Sequence, residues 1–360
     1  MKRKILTIAV ILGLSFYGCS KFETNHSSGS LTGTTLSLKQ AVAKNTEAIN
    51  TAASAIAGTN GYQLLSISDD QAKSESGYAD SITLAMVAGI YDYSPDTLFR
   101  PFASYVPYKL FKKTGTSSEM IVNMPKKIVF HPKYLFNFYH ADSAYNNNDF
   151  TITASDYHNY YSWADNYDYK LSAGFTLDSA NMGTLYLISK ADSYADLSYS
   201  SKYVFANGYN IDVYFAAGDT TTSSFALSDN DTVLLKETNV FIGQAFSVRG
   251  EREYILSIGN VDIKKTTGID SIQVYLSGVL QKKAAVRIID STATTGSICN
   301  KRDLQITFDD GTTVTLSSLI SPALSTLRTL VGSMQSMYFA RNILDYIAYD
   351  IYYQQYKLSH

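Results

Sequence analysis

Apolar side chains at every second position, cut at short intervals by turn residues, run through residues 134–317. This pattern constrains the fold more than any other feature of the chain. Leu185 with Leu187, Ile211 with Val213 and Phe215, and Ile272 with Val274 and Leu276 each put one stripe on one strand face. Turn signals separate them: Asn207-Gly208, Ser228-Asp229-Asn230-Asp231, Gly259-Asn260 and Gly268. The strongest local signal is Leu304-Gln305-Ile306-Thr307-Phe308, then Asp309-Asp310-Gly311, then Thr312–Leu316. Asp and Gly tolerate the positive φ that a tight hairpin turn needs. The 29 tyrosines of the 360 residues suit strands. The expected fold is mainly β, an antiparallel sandwich or an incompletely closed barrel.

Both ends of this β pattern carry helical periodicity. Ser37 and Gln40 form a capping box. Leu38, Val42, Asn45, Ile49, Ala52 and Ile56 then share one stripe, and Gly58 is a natural stop. This amphipathic helix over 37–58 has two uses open to it: docking on its own domain, or self-association as a short coil with Asn45 setting register. Ser321-Pro322 opens a second helical pattern, a long C-terminal helix over 321–356 with a break near Gly332. Arg328, Arg341, Asp345 and Asp350 exclude it as a membrane span. Such a helix packs on a sheet or lies across a barrel mouth.

Between these parts, residues 59–133 read as strands and a proline-rich linker. Tyr62–Ile67 is strand-like and Ser81–Tyr93 reads as one longer strand. Pro95, Pro101 and Pro107 punctuate the stretch after it. Met120–Met124 and Ile128–Phe130 are short apolar strands. The β body proper is expected over 134–320.

The first residues are an address. Lys2, Arg3 and Lys4 precede the apolar run Ile5–Leu14, too short to span a bilayer as a mature helix. Phe16-Tyr17-Gly18-Cys19 comes next. An ordinary cleaved signal or an uncleaved anchor also fits these residues. A small residue before a cysteine at this place resembles the lipobox of bacterial lipoproteins of the Bacteroidetes type. The resemblance covers about twenty residues and none of the body. It implies a signal peptide over 1–18, acylation of Cys19 and a lipid anchor in the outer membrane. Ser20 after the cysteine fits outer-membrane sorting, and the membrane face stays open. Residues 19–36, rich in Ser, Thr and Gly, would then be a flexible tether.

Charge and cysteine usage narrow the functions. Lys plus Arg is 30 and Asp plus Glu is 32, so the basic footprint that nucleic acid needs is missing. With Cys19 acylated, Cys299 has no partner for an intramolecular disulfide. It also lacks a nearby base, which reads as an inert thiol. The sequence holds no His-Glu-x-x-His, no Gly-Lys of a P-loop, no Gly-x-Ser-x-Gly and no Cys-x-x-Cys. His131, His140 and His158 have no ligand spacing, and Asp229-Asn230-Asp231 supplies too few oxygens for Ca²⁺. No metal or cofactor is expected.

The most unusual segment is Tyr134–Tyr169, with twelve aromatics, including Trp163, the only tryptophan. Asparagines and aspartates are interleaved. Flat rings stack on the apolar face of a sugar, and polar groups take its hydroxyls. The ligand-surface candidates are Trp163, Tyr160, Tyr161, Tyr157 and His158, against the structural use of such rings in a sheet. The leading expectation is a non-catalytic, lipid-anchored envelope protein that binds or scaffolds. A surface glycan-binding lipoprotein is the alternative, and a hydrolase with a dispersed site is the third. The expected partners are the membrane through the N-terminal lipid, and a polysaccharide or an envelope protein.

Overall fold

The computed structural model describes residues 36–65, 81–94, 111–126, 147–161, 166–193, 196–243, 250–269, 271–290, 302–333 and 337–352. Cys19, residues 20–35 of the tether, prolines 95–107, Ile128–Phe130, His131, His140, Trp163 and Cys299 lie outside them. The helices are α1 (Leu38–Ala57), α2 (Asn60–Leu65), α3 (Leu84–Val87), α4 (Leu316–Leu319), α5 (Ser321–Ser333) and α6 (Met337–Tyr352). The strands are β1 (Ile82–Thr83), β2 (Gly89–Tyr93), β3 (Phe111–Gly115), β4 (Met120–Met124), β5 (Phe150–Tyr161), β6 (Tyr167–Leu177), β7 (Ala180–Ser193), β8 (Asp196–Phe205) and β9 (Tyr209–Ala217). They continue with β10 (Thr220–Asp229), β11 (Thr232–Ile242), β12 (Glu251–Ile258), β13 (Val261–Thr266), β14 (Gln273–Leu276), β15 (Val279–Leu280), β16 (Ala285–Asp290), β17 (Arg302–Thr307) and β18 (Thr313–Thr315). The chain is therefore mainly β with helices at both ends. It divides into two compact units, residues 1–55 with 209–331 and residues 56–208 with 332–360. The β body expected over 134–320 thus falls in two units that part at the Asn207-Gly208 turn.

In the first unit β9 to β15 form an antiparallel meander in sequence order, open rather than closed into a barrel. Odd positions of β9 and even positions of β12 point to one buried face, carrying Ile211, Val213, Phe215, Leu256 and Ile258. Helix α1 starts at the expected capping box. The Ser37 amide donates to Gln40 Oε1 at 3.0 Å, and the Gln40 amide donates back to Ser37 Oγ at 3.3 Å. Its stripe of Leu38, Val42, Ile49, Ala52 and Ile56 is buried. Asn45 Nδ2 donates to the Ile258 carbonyl at 2.7 Å and to Asn260 Oδ1 at 2.9 Å. The stripe is therefore spent on docking within the chain, and Asn45 fixes α1 to the β12–β13 turn. That turn needs glycine twice over. Gly259 has φ +57°, and a Cβ there would sit 2.6 Å from Asn45 Cγ. The expected hairpin Leu304–Leu316 forms as β17 and β18 around Gly311, beside β16.

In the second unit the strand order is β8-β7-β6-β5-β4-β2-β3, with β2 parallel to β4 and β1 paired to β5. Two local expectations are corrected here. The sequence pattern predicts a strand over Tyr62–Ile67, but Asn60–Leu65 is helix α2. Thr59 Oγ1 accepts from the Tyr62 amide at 3.1 Å and starts the turn. Burial of Gly61, Leu64 and Leu65 has helical spacing. The helix presses on β7 so closely that a Cβ on Gly61 would lie 2.3 Å from the Met182 carbonyl. The pattern also predicts one strand over Ser81–Tyr93, but the helical turn α3 interrupts it. The Tyr91 hydroxyl donates to the Val87 carbonyl at 2.9 Å and pins that turn. The C-terminal helical pattern is realised as α5 and α6. No helix among the described residues is long and apolar enough to cross a membrane.

Candidate functional site

The period of two along β5 splits the aromatic segment between the two faces of the sheet. Tyr157, Tyr169, Phe175, Tyr203 and Phe205 point inward and are buried. Tyr157 packs edge-on against Tyr169, with centroids 6.1 Å apart at 85°, and Tyr203 stacks on Phe175 at 6.2 Å. The Tyr157 hydroxyl donates to Asp345 Oδ1 of α6 at 2.9 Å. Burial raises the Tyr203 hydroxyl well above the ordinary tyrosine range, so it stays protonated and donates to the Met182 carbonyl at 3.2 Å. This face is a fixed aromatic core, and Tyr157 belongs to it rather than to a ligand surface.

The opposite face is open to solvent. The pairing registers place its residues in three rows across β5 to β8. One row is Tyr160, Asp168, Lys190 and Ser198; the next is His158, Lys170, Ile188 and Ser200. The third is Asp156, Ser172, Tyr186 and Lys202. Tyr160, Tyr186 and Ile188 keep 38%, 47% and 43% of their surface exposed. Tyr160 and Tyr186 are two strands and four residues apart, about 16 Å on sheet spacings. A bulge in β5 lies between Ala154 and Asp156, and the Ser155 hydroxyl reaches Ser172 Oγ at 3.2 Å. Beside it, a Cβ on Gly174 would meet nothing within 4 Å, so the floor there is low.

Four charges on this face form two pairs, and Lys202 stands at its edge in the third row. Lys170 Nζ lies 2.5 Å from Asp156 Oδ2, and Lys190 Nζ lies 3.3 Å from Asp168 Oδ2. The hydrogen bond to Asp156 holds the Lys170 ammonium above its ordinary pKa, so it remains a cation. The arrangement offers two exposed phenol rings and an isoleucine between paired charges and serines. It can stack and hydrogen-bond a polyhydroxylated chain. Among the described residues, no group of three or more His, Cys, Asp or Glu side chains is placed to hold a metal ion.

Of the five expected ligand residues, Tyr160 and His158 stand on the outer face and Tyr157 on the inner one. Tyr161 ends β5 with its side chain outside the described set, as is Trp163. The structure adds Tyr186, Ile188, Lys170 and Lys190, which the local aromatic density missed. Strand alternation through 167–191 carried the signal, because it gives these residues the parity that faces His158. Asp229-Asn230-Asp231 is a turn. Asn230 has φ 49°, and its carbonyl accepts from Asn210 Nδ2 at 2.7 Å. No family model, curated protein or solved structure matches this chain.

Proposed function

We propose that this chain is a lipid-anchored, non-catalytic binding protein of the outer membrane, and that the outer face of β5–β8 takes a neutral oligosaccharide. The anchor reading rests on Cys19 and the residues before it. The binding reading is carried by one observation: Tyr160, Tyr186 and Ile188 stay exposed on a sheet face where Lys170 pairs with Asp156 and Lys190 with Asp168. Four of the five Asp and Lys residues in these rows cancel in pairs, which suits a chain of hydroxyls better than a polyanion. The aromatic core beneath holds it in one shape, so little ordering cost falls on binding. Tyr160→Ala and Tyr186→Ala should each weaken binding to neutral polysaccharides by about fivefold, from ~1 kcal/mol of stacking per ring. Melting temperature should stay unchanged, because both rings are outside the core. Affinity electrophoresis across a polysaccharide panel reads this directly. If no neutral polysaccharide retards the parent, or if the double variant is retarded equally, the binding reading fails.

A further inference from the structure

We propose that Glu237 is a proton-held latch of the β9–β15 meander: its protonated carboxyl keeps the inner face of β10–β12 closed, and ionisation loosens those strands. Glu237 is 3% exposed and is the only buried charged residue of its unit among those described. Its Oε2 is buried without a hydrogen-bond partner. The residues directly across from it are Phe225 on β10 and Leu256 on β12. Such a position tolerates a neutral carboxyl far better than a carboxylate.

Among the described residues, the groups facing it supply no compensating cation. β10 contributes Ser223, Phe225 and Leu227, and β9 contributes Val213 and Phe215. β12 contributes Tyr254 beside Leu256 and Ile258, and Asn239 is the next inward residue on β11. Tyr254 and Asn239 hydrogen-bond to the carboxyl and pull its pKa down. Lys265 on β13 is in register with Tyr254, and its ammonium donates to the Ile269 carbonyl at 2.5 Å. Arg252, one row beyond, lies with its guanidinium 5.4 Å from the Phe241 ring centre. The buried stripe of α1 and the buried residues Ala323, Thr326, Leu327 and Leu330 of α5 carry no titratable group. Burial therefore wins over the two hydrogen bonds and pushes Glu237 from the ordinary 4.5 up to about 7. Tyr254 rises in turn, through burial first and the neighbouring Glu237 second, and stays a donor.

The direction comes from proton linkage. Below pH 4.5 the closed and the opened carboxyl both hold a proton. Between 4.5 and about 7 only the closed form does, so closure weakens as pH rises through this window and levels off above it. A gap of this size corresponds to roughly a 300-fold change in the opening equilibrium.

Hydrogen-exchange mass spectrometry on the full chain in detergent tests the latch in steps from pH 5 to pH 8, with rates normalised for intrinsic exchange. Protection of β10–β12 peptides should drop by about 70-fold from pH 5 to pH 8, the part of the linkage that falls in this window, while β6–β7 peptides keep theirs. Glu237→Gln should abolish the drop. Tyr254→Phe should move the midpoint upward, because a hydrogen bond that favours the carboxylate is gone. Equal protection of parental β10–β12 at pH 5 and pH 8 overturns the proposal. So does an unchanged drop in Glu237→Gln, or a midpoint that Tyr254→Phe leaves in place.

Discussion

Replacing Tyr157 by Phe isolates one hydrogen bond in the core of the second unit. Tyr157 is 2% exposed, and its hydroxyl lies 2.9 Å from Asp345 Oδ1, itself 5% exposed. The phenylalanine ring fills the same space and keeps the edge-on contact with Tyr169. Transfer and cavity terms therefore nearly cancel, unlike Tyr157→Ala, which should cost about 3–5 kcal/mol for the missing ring. What remains is a donor withdrawn from a buried carboxyl, worth about 1.5–3 kcal/mol when the partner is charged. Asn159 Nδ2 also sits 3.5 Å from the hydroxyl, too far to add much. Urea unfolding monitored by near-ultraviolet circular dichroism measures the loss. A double-mutant cycle with Asp345→Asn assigns it to the pair, with a coupling above about 1 kcal/mol expected. A loss under about 0.5 kcal/mol with no coupling would refute the claim that this bond ties α6 to β5.

Two more outcomes are expected in other parts of the chain. Cys19→Ala should release the protein from membranes or leave its signal uncleaved. Unchanged membrane fractionation together with unchanged labelling by a palmitate analogue counts against the lipid anchor. Gly259→Ala should destabilise by about 1–2 kcal/mol from the left-handed backbone alone, with more from the clash at Asn45. The clash part should vanish in the Asn45→Ala background, which itself loses the two Nδ2 hydrogen bonds. Strict additivity of the two changes in thermal unfolding would mean that Asn45 does not lie over the turn.

Local chemistry is legible in the sequence, and long-range geometry is not. The Ser37–Gln40 capping box and the Asp310-Gly311 hairpin are closed by residues a few positions apart, and both form as expected. Tyr62–Ile67 reads as a strand because its apolar and aromatic residues satisfy either period. The choice of helix depends on the Thr59 cap and on the Met182 carbonyl, which lies over a hundred residues away. Leu84–Val87 sits inside an alternating run, and the turn exists because the Tyr91 ring folds back to the Val87 carbonyl. That bond spans only four residues, but hydropathy does not register a hydroxyl-to-carbonyl contact.

The same division explains the candidate site. Density along the chain groups Tyr157, His158 and Tyr160 together, but a strand sends neighbours to opposite faces. Half of any such cluster on one strand must point away from any ligand. A platform has to be assembled sideways, from residues of equal parity on paired strands, and register is what selects them. Tyr186 and Ile188 join His158 and Tyr160 only because Lys170 pairs with both His158 and Ile188. Glu237 illustrates the converse. Beside exposed Lys236 it looks like one more solvated charge, yet it shares the parity of buried Leu235. A charge that breaks an apolar stripe is thus the more informative signal than a dense run of aromatics. The stripe states the expected environment, and the charge must either change it or change its own proton affinity.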